Sequence, residues 1–297
     1  MGNARGAVLM ILAMAGFAVE DMFIKLMAGA LPVGQILILI GAGGAVIFGG
    51  WAMAHGQAPI TTSMLRGASG WRALFEGIAS IGFVTALTLV PLSVVTMITQ
   101  VNPLLVTLVA AVVFGETVGW RRWSAICVGL VGVLIVLRPF GEGFEAATLF
   151  AVMGVLAQTG RDLATRRVTA SISTAQISTL GFLSGIPAGM VALLVSGQYP
   201  VMPDARTFAY IFGAIAIGIP ALYCIIASMR VGDMSFVAPF RYSRIVFGLL
   251  IGMLAFGERL DFFTLLGAAI ITGSGLYTFA REARLRRNPS PAPAPAL

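Results

Sequence analysis

Apolar residues in this chain do not alternate with polar ones over short stretches. They run on continuously for about twenty positions at a time, the length that crosses a hydrocarbon layer as a helix. The breaks between runs fall at charges, prolines and glycine turns. Three long regions, 26–65, 77–115 and 168–203, contain no Asp, Glu, Lys or Arg at all. Splitting at the breaks predicts ten helical spans, near 5–28, 32–54, 69–90, 92–114, 121–138, 145–167, 173–197, 205–229, 232–256 and 262–280. A membrane β-barrel would need alternating strands of about ten residues, so continuous runs of twice that length argue for helices.

Composition sharpens this to an integral membrane protein. Of 297 residues, 10% are charged and 58% apolar, with a mean hydropathy of +0.96. An ordinary soluble domain is about 25% charged. A soluble enzyme, a nucleic-acid binder and a disulfide scaffold are excluded. The net charge of +7 is then a topology signal. With ten spans and a cytoplasmic N-terminus, the inner segments hold Arg5, Arg66, Arg72, Arg121, Arg122, Arg161, Arg166, Arg167, Arg230, Arg281, Arg284, Arg286 and Arg287. The outer segments hold Lys25, Arg138, Arg206 and Arg259. Thirteen against four places both termini inside. The early apolar run continues past Glu20-Asp21, so it reads as a first span and not as a cleaved signal. Cys127 and Cys224 both fall in apolar stretches and read as buried hydrophobes without a disulfide.

An internal repeat is written across the chain. Phe114-Gly115-Glu116 recurs as Phe256-Gly257-Glu258, and Ser93, Val95 and Trp120 meet Ser235, Val237 and Phe262 at the same offset of 142 (256 − 114). Asp21 and Lys25 meet Asp162 and Arg166 at an offset of 141 (162 − 21). Gly41, Ala45 and Gly49 meet Gly181, Gly185 and Gly189 at an offset of 140 (181 − 41). Each copy holds five spans. Five is odd, so the second copy is upside down in the membrane, an arrangement used by secondary transporters. The predicted fold is all-α: ten transmembrane helices as two inverted five-helix repeats around a central cavity. The first repeat is 1–140 and the second 141–282, with a disordered Pro-Ala-rich cytoplasmic tail at 283–297.

The two halves resemble the drug/metabolite transporter superfamily, in particular its EamA-type members. The resemblance rests on a kink in each fourth span, a closing Gly-Glu and a glycine-rich fifth span. Here these are Val101-Asn102-Pro103, Phe114-Gly115-Glu116 and Gly129-Leu130-Val131-Gly132 in one half. The other half carries Ala238-Pro239-Phe240, Phe256-Gly257-Glu258 and Gly273-Ser274-Gly275. The chain is similar in its general run to bacterial amino-acid exporters, aromatic ones included. The resemblance implies a cavity lined by spans one, three, four, six, eight and nine, with spans five and ten peripheral.

Charge inside a membrane span costs several kcal/mol and marks functional candidates. Glu76 lies in the third span, and Arg241 and Arg244 lie in the ninth, on one helical face. One arginine can take a substrate carboxylate while the other holds Glu76; an internal structural pairing is the alternative. Asp21–Lys25 and Asp162–Arg166 are spaced as i,i+4 pairs, either gate contacts near opposite surfaces or plain helix-end pairs. Glu20, turned about 100° from Asp21, has the better claim to the cavity. Glu20 and Glu76 are the candidate proton carriers, since a desolvated carboxylate can titrate near neutral pH. Gln100 and Asn102 precede the Pro103 kink, where a backbone carbonyl is freed. Gln158, Thr159 and Tyr223 are similarly placed polar groups, while Phe17, Phe75, Phe83, Met97, Phe240 and Tyr242 offer an apolar wall. Gly181, Gly185 and Gly189 read as close helix packing, within the bundle or in a homodimer. Glu116 and Glu258 read as structural, paired with arginines such as Arg121 and Arg259.

Catalytic chemistry finds no support. His55 has no evident partner, no Cys/His cluster has metal-ligand spacing, and there is no phosphate loop. The expectation is a cofactor-free secondary exporter in a bacterial cytoplasmic membrane. It would move amino acids, aromatic and apolar ones included, by alternating access. The alternatives are export of a purine, vitamin or drug, and, remotely, a membrane protein that transports nothing.

Overall fold

A computed structural model describes residues 2–116, 118–139, 145–169 and 171–287, without the side chains of 234, 235 and 282–287. The tail from Asn288 lies outside the described residues. Nearly everything described is helical. Spans one to three are α1 (Gly2–Leu26), α2 (Val33–Ala54) and α3 (Gly67–Leu89). Span four is broken into α4 (Leu92–Thr99) and α5 (Asn102–Phe114), and span five is α6 (Trp120–Leu137). Spans six to eight are α7 (Thr148–Thr165), α8 (Thr174–Ser196) and α9 (Ala205–Val231). Span nine is broken into α10 (Met234–Val237), a 3-10 turn (Ala238–Tyr242) and α11 (Ser243–Phe256), and span ten is α12 (Phe262–Arg287). Both breaks sit at prolines, Pro103 and Pro239, which lack the N–H that would continue the helix.

Nine of these spans are long and apolar enough to cross a membrane. The tenth, α7, has 18 residues, and Gln158, Arg161 and Asp162 lower its hydropathy. Its insertion depends on partners for those groups.

The ends of the elements repeat as the residues do. Leu89 and Val231, Phe114 and Phe256, and Trp120 and Phe262 are all separated by the offset of the Gly-Glu repeat (231 − 89, 256 − 114, 262 − 120). Helix pairing obeys the same relation. The main packed pairs are α1 with α9, α2 with α8, α3 with α7 and α6 with α12. Exchanging each span for its counterpart five spans along turns α1–α9 into α7–α3 and leaves α2–α8 and α6–α12 unchanged. A two-fold relation between halves requires that closure. The fifth and tenth spans pack on each other, away from α1, as the resemblance implies.

Small residues set the closest approaches. A Cβ on Gly41 would come within 2.7 Å of the Phe182 carbonyl, and one on Gly185 within 3.3 Å of the Leu37 carbonyl. The Gly181–Gly185–Gly189 stripe is therefore spent inside the bundle, Gly185 and Gly189 against α2 and Gly181 against Arg72 and Glu76 of α3. Cys127 is exposed on α6 and Cys224 is half-buried, and both are free, so neither is the fully buried residue expected.

Gly82 tests this packing. A Cβ there would lie 2.7 Å from both the Gly154 amide and the Phe150 carbonyl, which are backbone atoms that cannot step aside. Gly82→Ala is expected to destabilise the protein by about 1–3 kcal/mol through overpacking. Gly50→Ala, facing open space, should be neutral or slightly stabilising. Thermal unfolding in detergent reads both; equal melting temperatures would contradict the close α3–α7 contact.

Candidate functional site

The charged side chains inside the bundle gather into two networks. In one, Asp21 of α1, 2% exposed, accepts from Arg244 Nη2 of α11 at 2.6 Å. The Arg244 guanidinium also lies over the rings of Phe17 and Phe83, at 5.4 and 5.7 Å. In the other, Arg161 of α7 bridges two carboxylates: Nη2 meets Asp162 Oδ1 at 2.8 Å and Nη1 meets Glu76 Oε1 at 3.0 Å. Arg72 of α3 pairs with Glu76 at 3.5 Å and donates to the Ile177 carbonyl at 3.2 Å. Asn102 Nδ2 donates to Asp162 Oδ2 at 2.7 Å, and Thr159 donates to Asn102 Oδ1 at 3.0 Å.

The two networks are counterparts under the repeat. Asp21 corresponds to Asp162, and their donors correspond in the same way, Asn102 to Arg244, with offsets that differ by one (162 − 21, 244 − 102). Both donors stand in the first turn after a helix break, so each carboxylate is also held near a half-helix N-terminus, the positive end of its dipole. The breaks are tied to each other: Gln100 Nε2 donates to the Arg241 carbonyl at 2.7 Å.

Two charged groups stand apart. Among the described residues, neither the Arg241 guanidinium nor the Glu20 carboxylate makes a hydrogen bond or ion pair. Both are half-buried. Asp162, Arg161, Tyr242 and Arg244 act on Arg241 through space. Glu20 packs against Gly218 of α9 and helps enclose a void of about 10 Å³ with Ile40, Gly44, Phe182, Ala214 and Ile215. That space admits one water at most. Within the bundle, Arg72, Arg161, Arg241 and Arg244 face Glu20, Asp21, Glu76 and Asp162, four charges of each sign.

Several sequence expectations are corrected here. Arg244 holds Asp21, not Glu76. Glu76 is held instead by Arg72 and Arg161, which the loop count had assigned to the inner surface. Neither i,i+4 pair forms. Lys25 Nζ donates to the carbonyls of Leu87 and Val90 at 3.2 and 2.6 Å, and Arg166 meets Glu116 at 3.6 Å. A buried aspartate is satisfied by a buried cation across the bundle, which a helix-surface rule does not foresee. Tyr223 is 57% exposed, its ring against Trp51, and is not brought to the charged groups. Tyr242 is buried but turned toward α12, edge-on to Phe279, and its hydroxyl has no partner. Gln158 is half-buried on α7 without a hydrogen bond. Phe75 lines an apolar groove between α3 and α7. Glu258 accepts from the amides of Leu92 and Ser93, so Arg259 is not its partner.

The signals for the missed residues were present. Arg161 stands at the repeat position of Glu20 (161 − 20 matches 162 − 21), and Arg72 precedes Glu76 at i,i+4. Outside the spans, Asp261 caps α12 and pairs with Arg138. Slight burial raises its carboxyl, but the Thr264 hydrogen bonds and Arg138 outweigh that and bring it to about 2.

Comparison with known proteins places these features in a family. The profile of the EamA-like transporter family matches residues 4–138 and again 146–279. An S-adenosylmethionine uptake transporter of Rickettsia felis is 28% identical over 233 residues, covering 77% of this chain and 76% of that protein. A riboflavin transporter of Rhizobium johnstonii is 28% identical over 226 residues, covering 74% of each. A protein crystal structure shares the fold with a TM-score of 0.61 at 20% identity, over 96% of this chain and 98% of that one.

The Asp21–Arg244 contact has a measurable signature. Removing one member leaves an uncompensated buried charge, so Asp21→Ala or Arg244→Ala alone should destabilise by about 3 kcal/mol. The double substitution should cost clearly less than the sum. Additive losses in detergent unfolding would show that the two side chains are not coupled.

Proposed function

The chain belongs to the EamA-like transporter family, and we propose that it carries a metabolite with an amino-acid head and a heteroaromatic body, of the S-adenosylmethionine kind. It is a multi-pass membrane transporter and not an enzyme. The observation that supports this substrate class is the pair of partnerless groups, Arg241 and Glu20. A substrate carboxylate pairs with Arg241, beside Gln100, and a substrate ammonium or sulfonium pairs with Glu20. Phe17 and Phe83, already beneath Arg244, offer faces for a planar ring. The remaining charges hold the helices in register and are not free to bind.

The similarity to an S-adenosylmethionine transporter supports the same class. The relatives reported above are named for S-adenosylmethionine and for riboflavin, not for amino acids, so export of free amino acids becomes the second reading. Arg241 and Glu20 suit the amino-acid head in either case. Riboflavin carries no carboxylate or ammonium and would leave both groups unanswered. The carrier works by alternating access in a bacterial cytoplasmic membrane with both termini inside. Arg72 and Arg161 leave the loop count, and eleven against four still favours that orientation.

Proteoliposomes holding purified protein test the proposal with labelled S-adenosylmethionine, riboflavin, phenylalanine and leucine, with and without a pH gradient. Saturable S-adenosylmethionine exchange is expected. Arg241→Ala should weaken it by about tenfold or more, the size of one lost charge-assisted hydrogen bond, and Arg241→Lys should restore part of it. Transport of none of the four compounds, or an unchanged Arg241→Ala variant, would sink the proposal.

A further inference from the structure

Each Gly-Glu pair closes its half-helix with the same backbone turn. Gly115 and Gly257 take left-handed conformations, φ 65° and 64°, which a side chain would resist. The following glutamate N–H then bonds back into the last turn, Glu116 to the Ala110 carbonyl at 3.3 Å and Glu258 to the Gly252 carbonyl at 3.0 Å. The turn aims each glutamate toward the opposite half of the molecule.

The two carboxylates do different things. Glu258 crosses to the first half, where Oε1 accepts from the Leu92 amide at 2.6 Å and Oε2 from the Ser93 amide at 3.0 Å. These are amides at the start of α4 that no helical carbonyl can satisfy. Glu116, on the other membrane face, is 56% exposed and meets Arg166 at 3.6 Å. The cations differ likewise. Lys25 is seated on two carbonyls beyond and within the end of α3, with the Phe256 ring 5.4 Å away. Its counterpart Arg166 is 54% exposed.

One residue at the seat of the carboxylate differs between the halves. A Cβ on Gly252 would lie 2.5 Å from Glu258 Oε2 and 3.6 Å from the Ser93 amide, so the missing side chain is the seat of the carboxylate. The counterpart of Gly252 under the repeat is Ala110 (252 − 110 matches 258 − 116). In the first half that seat already holds a methyl group.

We propose that Glu258 and Glu116 are counterpart latches of alternating access, and that glycine at 252 against alanine at 110 biases the resting carrier toward closure at the Glu258 face. When the cycle turns, Glu258 leaves Leu92 and Ser93, and Glu116 approaches the counterpart backbone at Met234 and Ser235. The inference rests on the carrier reading but on no particular substrate.

Spin-label distances in reconstituted protein test it, with Cys127 and Cys224 replaced by serine. One label pair, at Ala30 and Arg259, spans the Glu258 face between the halves. A second, at Trp120 and Ser171, spans the Glu116 face; all four residues are exposed. Gly252→Ala should lengthen the first distance and shorten the second, raising the population open at the Glu258 face by about tenfold, as loss of a charge-assisted hydrogen bond does. Glu258→Gln should act in the same direction. Ala110→Gly, which removes nothing from either latch, should also raise that population by giving Glu116 its seat. Unchanged distances in the well-folded Gly252→Ala variant, or a shift in the opposite direction with Ala110→Gly, would overturn the latch. Shifted distances in a protein that transports none of the panel would support the latch and count against the substrate proposal alone.

Discussion

Burying an ionised side chain in hydrocarbon is so costly that each such group dictates which helices stand beside one another. Lipid gives helices no hydrophobic reason to associate, because its tails are as apolar as leucine. In this bundle Asp21 and Arg244 fix α1 against α11. Arg161 gathers Glu76 and Asp162, and so fixes α7 against α3. Asn102 brings the broken fourth span to the same point. The small residues between α2 and α8, and between α3 and α7, then let backbones approach as far as the ion network asks.

The repeat explains why the network has two parts and why they differ. Both halves keep the aspartate and both place its donor just after a helix break. The second half supplies a cation, Arg244, while the first supplies an amide, Asn102. An amide does not neutralise Asp162, and the charge is met by Arg161, at the position where the first half carries Glu20. This one difference between the halves leaves a carboxylate in the first, Glu20, without a cation, and a cation in the second, Arg241, without a carboxylate.

The spans, the breaks at Pro103 and Pro239, the Gly-Glu turns and the two-fold order were all legible in the sequence, because each leaves a local mark: a length, a proline, a glycine. The partners of the charges were not. Arg72 and Arg161 lie about a turn inside their helix ends and looked like loop residues. Asp21 and Lys25 satisfy a spacing rule that describes exposed helix surfaces, whereas burial sends each to a partner on a span far along the chain. Tyr223 and Tyr242 were misread for a further reason. A helix that is apolar all round carries no polar stripe to show which way it is rotated, so the outward turn of one ring and the packing of the other against α12 were invisible.

The even balance of four cations and four carboxylates inside the bundle has an electrical consequence. With all eight ionised they sum to zero, so in so far as they move together they carry no net charge through the membrane field. A cargo such as S-adenosylmethionine, with two positive groups and one negative, would add one elementary charge to the loaded form. A potential of 100 mV does about 2.3 kcal/mol of work on that charge. The voltage across the membrane would therefore push mainly on the cargo, giving a carrier whose direction is set by what it holds.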